Sequence, residues 1–424
     1  MTSRERVHRA INFQKPDRIP IDLGSMRATG INAVLYDRLK RRLGLAADSP
    51  TKVHGTMDVL AEIEPEVAER FHVDVLPLEA NLCAWNDSPA TAGVQQTLYG
   101  GTKVFFPPRT NITKEPSGDW LMRDTAGRPF ACMPANGFYF DFIGGTFSNG
   151  SGGGIDPAKF KPSGDVSDEV LTAFARRARR LNSETDKALF GWGSGISFMG
   201  LSFLLTDNIT QGALDEWLVM LMADKPAAND MMARSTDAAI ERTKLFHQAV
   251  GDTIEVWGVA SDDAGTQRGP LIAPELFREM ITPHYKRLCD WIHKNTRWKT
   301  FLHSCGSIYE YIGPWIEAGI DILNPVQISA ANMQPEKLMK EFGDRIVFWG
   351  GGCETQKMLP LGTPAEIREH VRRNIEVFSK NGSAQGGFVF AQVHNIQPNV
   401  PVENVVAMLD AAYEFGGGGP PARH

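Results

Sequence analysis

Apolar positions in this chain follow two alternating rhythms. Eight short runs rich in β-branched or aromatic residues, at 19–23, 73–76, 188–191, 254–259, 299–303, 321–323, 346–349 and 387–391, have the length and composition of buried strands. Between them, at 31–43, 169–181, 227–250, 274–294, 308–318, 364–378 and 402–415, apolar residues recur at helical spacing, which predicts helices with one buried face. Strand and helix in alternation imply parallel strands joined by right-handed crossovers. Eight such units close most naturally as a (β/α)8 TIM barrel of the α/β class, with an open doubly wound sheet as the structural rival.

The alternation lapses between 84 and 162. Short period-two stretches at 94–98, 102–106, 120–123 and 130–133 are separated there by Gly, Pro, Asn and Asp, the pattern of antiparallel strands joined by turns. The expectation is one barrel domain over 1–424 carrying an antiparallel β insertion, 84–162, after its second strand. The insertion ends in a glycine-rich run from Gly144 to Gly154. A phosphate loop would follow a strand and open a helix; this run leads into Ile155-Asp156-Pro157 and reads instead as a mobile exit.

With 424 residues, 42% of them hydrophobic and 22% charged, the chain can bury a large core without staples. Its 44 Lys and Arg against 50 Asp and Glu give a net charge of -6 and form no basic tract, so nucleic acid is not an expected partner. The start, MTSRERVHRAINF, lacks the apolar core of a signal peptide, and no apolar run reaches the roughly 18 residues of a membrane span. A cytoplasmic protein without membrane attachment is expected. Five scattered cysteines suit free thiols or metal ligands better than a disulfide framework.

Candidate chemistry collects at strand ends, which in a barrel form the catalytic mouth. The stretch Thr300-Phe301-Leu302-His303-Ser304-Cys305-Gly306 delivers an imidazole and a thiol at i and i+2, on the same side of an extended segment. A lone His-x-Cys is more often a hydrogen-bonded histidine beside a buried free cysteine. Here Cys353, in the glycine-rich turn after the seventh run, and His394, after the eighth, bring further donors to the same rim. Cys and His donors converging there point to zinc, with His303, Cys305 and Cys353 as ligands and His394 as a further candidate.

Carboxylates stand at Asp22, Asp74 and Asp262-Asp263, each competing with an ordinary role as a cap or turn residue. Asp263, in a short polar link between strand and helix, is the preferred orienter or base. Arg27 suits a bidentate grip on a substrate carboxylate, against the ordinary surface salt bridge. Asn324, Gln327, Asn395 and Gln397 can offer neutral hydrogen bonds to a ligand or serve the structure equally well. Trp192, Phe198, Met199, Trp257 and Trp349 would suit a planar ligand, although aromatic and methionine residues at such spacing are more often core.

Taken together, Thr2-Ser3-Arg4-Glu5-Arg6-Val7, Pro16-Asp17-Arg18-Ile19-Pro20, Asp263-Ala264-Gly265-Thr266-Gln267, His303-Ser304-Cys305-Gly306, Gly350-Gly351-Gly352-Cys353 and His394-Asn395-Ile396-Gln397-Pro398 resemble the uroporphyrinogen decarboxylase superfamily. The likeness is to decarboxylase-like members related to zinc- and corrinoid-dependent methyltransferases, and it spans nearly the whole chain. It implies a (β/α)8 barrel. In the methyltransferase branch a His-x-Cys pair and a later Cys bind zinc. His303 and Cys305 resemble the pair; His394 stands where the later Cys is found, so either Cys353 or His394 would complete the set. In the decarboxylase branch a last-strand His resembles His394, Arg27 resembles an arginine that holds substrate carboxylates, and Asp74 corresponds to a key aspartate.

The resemblance implies a zinc-dependent methyltransferase or demethylase. It would move a methyl group between a small-molecule donor or acceptor and a corrinoid protein. No Asp-x-His-x-x-Gly cobalamin signature occurs, so the corrinoid would ride on a separate partner. A homodimer is implied as well. The alternatives are a cofactor-free decarboxylase using Arg27, Asp74 and His394, and a non-catalytic corrinoid- or metal-binding accessory protein.

Overall fold

The computed structural model describes residues 1–45, 50–143, 155–162, 164–199, 214–379 and 386–420. Seven parallel strands form its central sheet: β1 (Val75–Glu79), β2 (Ala188–Trp192), β3 (Val256–Ser261), β4 (Lys299–His303), β5 (Ile322–Asn324), β6 (Val347–Trp349) and β7 (Phe388–Val389), paired in chain order. The first hydrophobic run joins them through one residue. Ile21 bridges in parallel to both Val73 and Phe390, so it links the β1 side to the β7 side and closes the ring. The seam is hydrogen-bonded on both flanks: Asp22 N–H donates to Phe390 O and Asp74 N–H donates to Ile21 O, each at 2.8 Å. A closed sheet leaves no free edge, which sets this TIM-type barrel apart from the open-sheet rival.

Period-two alternation decides which side chains enter the barrel. Val75, Phe190, Val256, Phe301, Ile322, Val347, Trp349 and Val389 fill the interior, while Trp257, Leu302, Leu323, Phe348 and Phe388 point outward against the helices. Burial of both faces is why these runs are apolar throughout rather than alternating. Helix Ser3–Ile11 plugs the N-terminal end. Its Val7, Ala10 and Ile11 belong to the interior cluster, and Gly387 N–H donates to Ala10 O at 2.7 Å.

The outer layer includes helices Asp168–Glu184, Lys225–Val250, Pro364–Ser379 and Val402–Tyr413, at the positions the apolar spacing predicts. The helix expected over 274–294 is two, Pro274–Met280 and Thr282–Asn295. Pro283 lacks the N–H that a continuous helix would need and crowds the preceding turn.

Two small sheets are added to the barrel. One is antiparallel, with Asn111–Lys114, Trp120–Arg123, Pro129–Met133 and Asp141–Phe142 in sequence order. In the other, Val94–Thr97 pairs antiparallel with Lys103–Phe106, which in turn pairs in parallel with Thr51–Gly55. The added β structure therefore recruits a strand that precedes β1, and one of its pairings is parallel. Arg177 Nη1 and Arg180 Nη2 on helix Asp168–Glu184 each donate to Asp87 Oδ1 at 2.7 Å, and Trp85 Nε1 donates to Val53 O at 2.8 Å. The two arginines fasten the addition to the barrel's outer layer, and the Trp85 bond ties the segment after β1 to the strand Thr51–Gly55. The glycine run from Gly144 to Gly154 lies outside the described residues. No helix among the described residues is long and apolar enough to cross a membrane.

Candidate metal centre

Strand parity carries His303 and Asn324 to the same rim. Each lies two residues beyond an interior side chain, Phe301 and Ile322 respectively, so each faces inward at the C-terminal end of its strand. Asn324 Nδ2 donates to Trp349 O at 2.8 Å, which turns the amide oxygen toward the imidazole. His303 Nδ1–H then donates to Asn324 Oδ1 at 2.6 Å. This tautomer leaves the Nε2 lone pair free, and Nε2 is the nitrogen 3.4 Å from Cys305 Sγ. Burial lowers the His303 pKa against the opposing pull of Asp263, so the ring is neutral at neutral pH, the form that ligates metals.

Cys305 sits in a tight turn past β4. Ser304 N–H donates to Asn324 O at 2.8 Å, Cys305 N–H to Asp263 Oδ1 at 2.8 Å, and Gly306 N–H to Gln327 Oε1 at 2.7 Å. Gly306 has φ +90°, and a Cβ there would fall 2.3 Å from Gly265 O, so the turn requires glycine. Burial, reinforced by Asp263, pushes the Cys305 thiol well above its ordinary pKa. On its own the thiol stays protonated at neutral pH; a cation beside it would reverse that balance.

His394 completes the group. Its ring centroid is 5.8 Å from that of His303, and ligand-type atoms of His303, Cys305 and His394 all lie within 4.8 Å of one another. Asp263 Oδ1 stands 3.6 Å from His303 Nε2, on an exposed side chain. Two imidazoles and one thiol form a donor set of the kind that holds catalytic zinc, where three protein ligands leave a fourth position for substrate. These residues fit such an ion.

Two expected site residues stand elsewhere. Cys353 faces the outer core: Trp349 points into the barrel, the glycines at 350–352 interrupt the alternation, and the fully buried Cys353 side chain belongs to the cluster formed by the outward-facing strand residues and the helices. Burial raises its thiol far beyond the ordinary range. Asp74 precedes β1, at the end of the barrel opposite the mouth. Arg6 Nη1 and Arg18 Nη1 donate to its carboxylate at 2.7 Å, Arg18 Nη2 and Ile21 N–H at 2.9 Å. A carboxylate saturated by four donors is a structural anchor, not a base at the mouth.

Several amides expected to face a ligand are engaged within the protein. Asn324 and Gln327 brace His303 and the 304–306 turn, and Gln397 Nε2 donates to Asn395 Oδ1 at 2.6 Å. Asp262 is also structural, accepting from Phe198 N–H at 2.8 Å and from Ser197 Oγ at 3.0 Å. Asp22 points into the barrel and accepts from Trp349 Nε1 at 2.8 Å; burial pushes its pKa up to about 6.

A cavity of about 340 Å3 opens at the mouth, lined by Met26, Arg27, Glu79, Phe190, Trp192 and Ile196 among others. Ser261, also in its wall, is the ladder partner of His303, which places the cavity beside the donor group. Arg27, the residue proposed from sequence to grip a carboxylate, is among the residues that line the cavity. Glu79 went unrecognised because the second run was read as ending at 76, before Pro77. The signal was present: positions 75, 77 and 79 continue the inward face.

The family model for uroporphyrinogen decarboxylase (URO-D) matches residues 157–415. Among solved structures, a methyltransferase from Methanosarcina mazei superposes with a TM-score of 0.56 at 16% identity, covering 98% of this chain and 99% of that one. An endo-1,4-beta-D-xylanase of Clostridium thermocellum (TM-score 0.33, 10% identity, 60% of this chain and 57% of that one) is a weaker match. So is an endoxylanase from a sugarcane soil metagenome (TM-score 0.36, 10% identity, 59% and 83%). No curated protein sequence matches significantly. At 16% identity the methyltransferase attests a shared fold over the full length. The family match spans more than half of the chain and takes in β2 through β7 with His303, Cys305 and His394, so this chain belongs to the uroporphyrinogen decarboxylase family.

Proposed function

We propose that this chain is a zinc-dependent methyltransferase or demethylase, moving a methyl group between a small substrate in the cavity and a corrinoid carried by a separate protein. The observation that carries the reading is the convergence of His303, Cys305 and His394 at a barrel mouth, beside a cavity of small-molecule size. These three side chains would hold the zinc. When bound, zinc supplies Lewis acidity, lowering the pKa of a thiol or stabilising the heteroatom that a methyl group leaves.

The chain's own residues prepare that chemistry. Asn324 fixes the His303 tautomer with Nε2 aimed at Cys305. Asp263 holds the turn by accepting Cys305 N–H and, being exposed, offers the thiol proton a path to solvent. In the transfer, the electron pair of the broken bond remains on the substrate heteroatom. The cofactor-free decarboxylase needs Asp74 and Arg27 together at the mouth, whereas Asp74 is bound by Arg6 and Arg18 at the opposite end.

The test pairs elemental analysis of the purified chain with transfer from small methyl ethers, methylamines and methyl thiols to reduced cobalamin, followed by the visible spectrum of methylcobalamin. Cys305→Ala should lose both zinc and transfer. Transfer that survives Cys305→Ala would overturn the mechanism, and turnover lost with His303→Ala would exclude the accessory-protein alternative.

A further inference from the structure

The polar wall of the cavity is built independently of the metal ligands. Glu79 ends β1 on the inward face. One of its oxygens lies 2.9 Å from His54 Nε2 and the other 3.9 Å from Arg27 Nε. His54 comes from the added strand Thr51–Gly55, is buried, and has its Nδ1 3.0 Å from the Asn86 amide nitrogen. Asn86 holds the ring through Nδ1, and Nε2 stands at ion-pair distance from the carboxylate without a hydrogen-bond partner in line among the described residues, which leaves the imidazole packed behind Glu79. Burial works to raise the Glu79 pKa, but His54 and Arg27 outweigh it and keep the group ionised.

Arg27 is 57% exposed and meets Glu79 only loosely, and Arg242 also lines the cavity. Phe190 and Trp192 form an aromatic wall, their rings stacked at 6.0 Å and 25°. Trp192 is seated over Gly258, where a Cβ would fall 2.0 Å from the indole.

We propose that this cavity is a substrate subsite for a small zwitterion, an amino-acid-like molecule. Its ammonium group faces Glu79 and the aromatic rings; its carboxylate faces Arg27. A lone cation would meet the Arg27 guanidinium and a lone anion would meet the ionised Glu79 carboxylate beside His54. A ligand carrying both charges leaves neither wall group unopposed. The ring faces favour an ammonium bearing methyl groups, which is weakly hydrated and gains from contact with an aromatic face. That the ammonium is N-methylated rests on the methyl-transfer reading; the charge pairing does not. His54 is a positioning residue in this site, and through it the added sheet takes part in substrate binding.

Isothermal titration calorimetry on the full chain tests this with three ligands of similar shape. These are glycine betaine, its uncharged-head analogue 3,3-dimethylbutanoate, and choline, which lacks the carboxylate. Betaine should bind at least about tenfold tighter than either. Glu79→Gln should remove that advantage while leaving 3,3-dimethylbutanoate unweakened, and Arg27→Gln should weaken betaine while sparing choline. His54→Gln, which keeps a donor near the Nε2 position, should retain most of the betaine affinity that His54→Leu loses. Circular dichroism confirms that each variant is folded. The proposal is overturned if betaine binds within about threefold of either analogue, or if folded Glu79→Gln binds betaine as the native chain does. Zinc content measured on the same samples separates the two readings. Selectivity without zinc would refute the methyl-transfer mechanism alone, and zinc without selectivity would refute the zwitterion site alone.

Discussion

At His303 the decisive partner is a neutral amide. Asn324 accepts the Nδ1 proton at 2.6 Å and is itself oriented by Trp349 O at 2.8 Å, so one nitrogen is committed as donor and the other as ligand. Asn324→Ala should therefore weaken zinc binding about 10- to 100-fold with little change in far-ultraviolet circular dichroism, measured by competition with a chelator. The thiol beside it makes zinc binding pH-dependent. Burial holds Cys305 protonated at neutral pH, while His303 is already neutral there. Zinc binding should thus release about one proton, from Cys305, and affinity should rise about tenfold per pH unit through neutrality. Calorimetry in buffers of different ionisation enthalpy reads that proton directly.

The strands were legible because their apolar runs are buried on both faces, and the rim positions followed from period two. His303 reaches the mouth for that reason; His394 stands at the opposite parity to Val389 and Ala391, past the end of β7, and reaches it through the turn that follows the strand. Cys353 does not reach it, because the glycines at 350–352 interrupt the alternation that places Trp349 inward. Glu79 was hidden by Pro77, which reads as a strand terminator although a proline costs a strand only a ladder donor. The role of Asp74 was illegible for another reason: its partners Arg6 and Arg18 lie 68 and 56 residues away in sequence, and only the closed ring brings them together. Close packing between strands offers a test at this scale. Gly258→Ala would put a Cβ 2.0 Å from the Trp192 ring. It should destabilise the fold by about 1–3 kcal/mol in denaturant unfolding and abolish ligand binding in the cavity, while zinc content is retained.

The molecule divides its labour between the two ends of the barrel. The N-terminal end is closed by helix Ser3–Ile11 and by Asp74 with its two arginines, and the C-terminal end carries the donor group and the cavity. Removing the charge at the closed end should cost stability without touching the chemistry. Asp74→Asn should lower unfolding free energy by about 3–5 kcal/mol, because two guanidinium groups lose their buried counter-ion, and leave zinc content per folded chain unchanged. The central claim lies at the other end and is tested most directly by elemental analysis of the native chain beside His303→Ala, Cys305→Ala, His394→Ala and Cys353→Ala. About one zinc ion per chain is expected for the native protein and for Cys353→Ala, with loss in the other three. A native chain that carries no zinc, or a Cys353→Ala variant that loses it while the Cys305→Ala variant keeps it, would contradict the account.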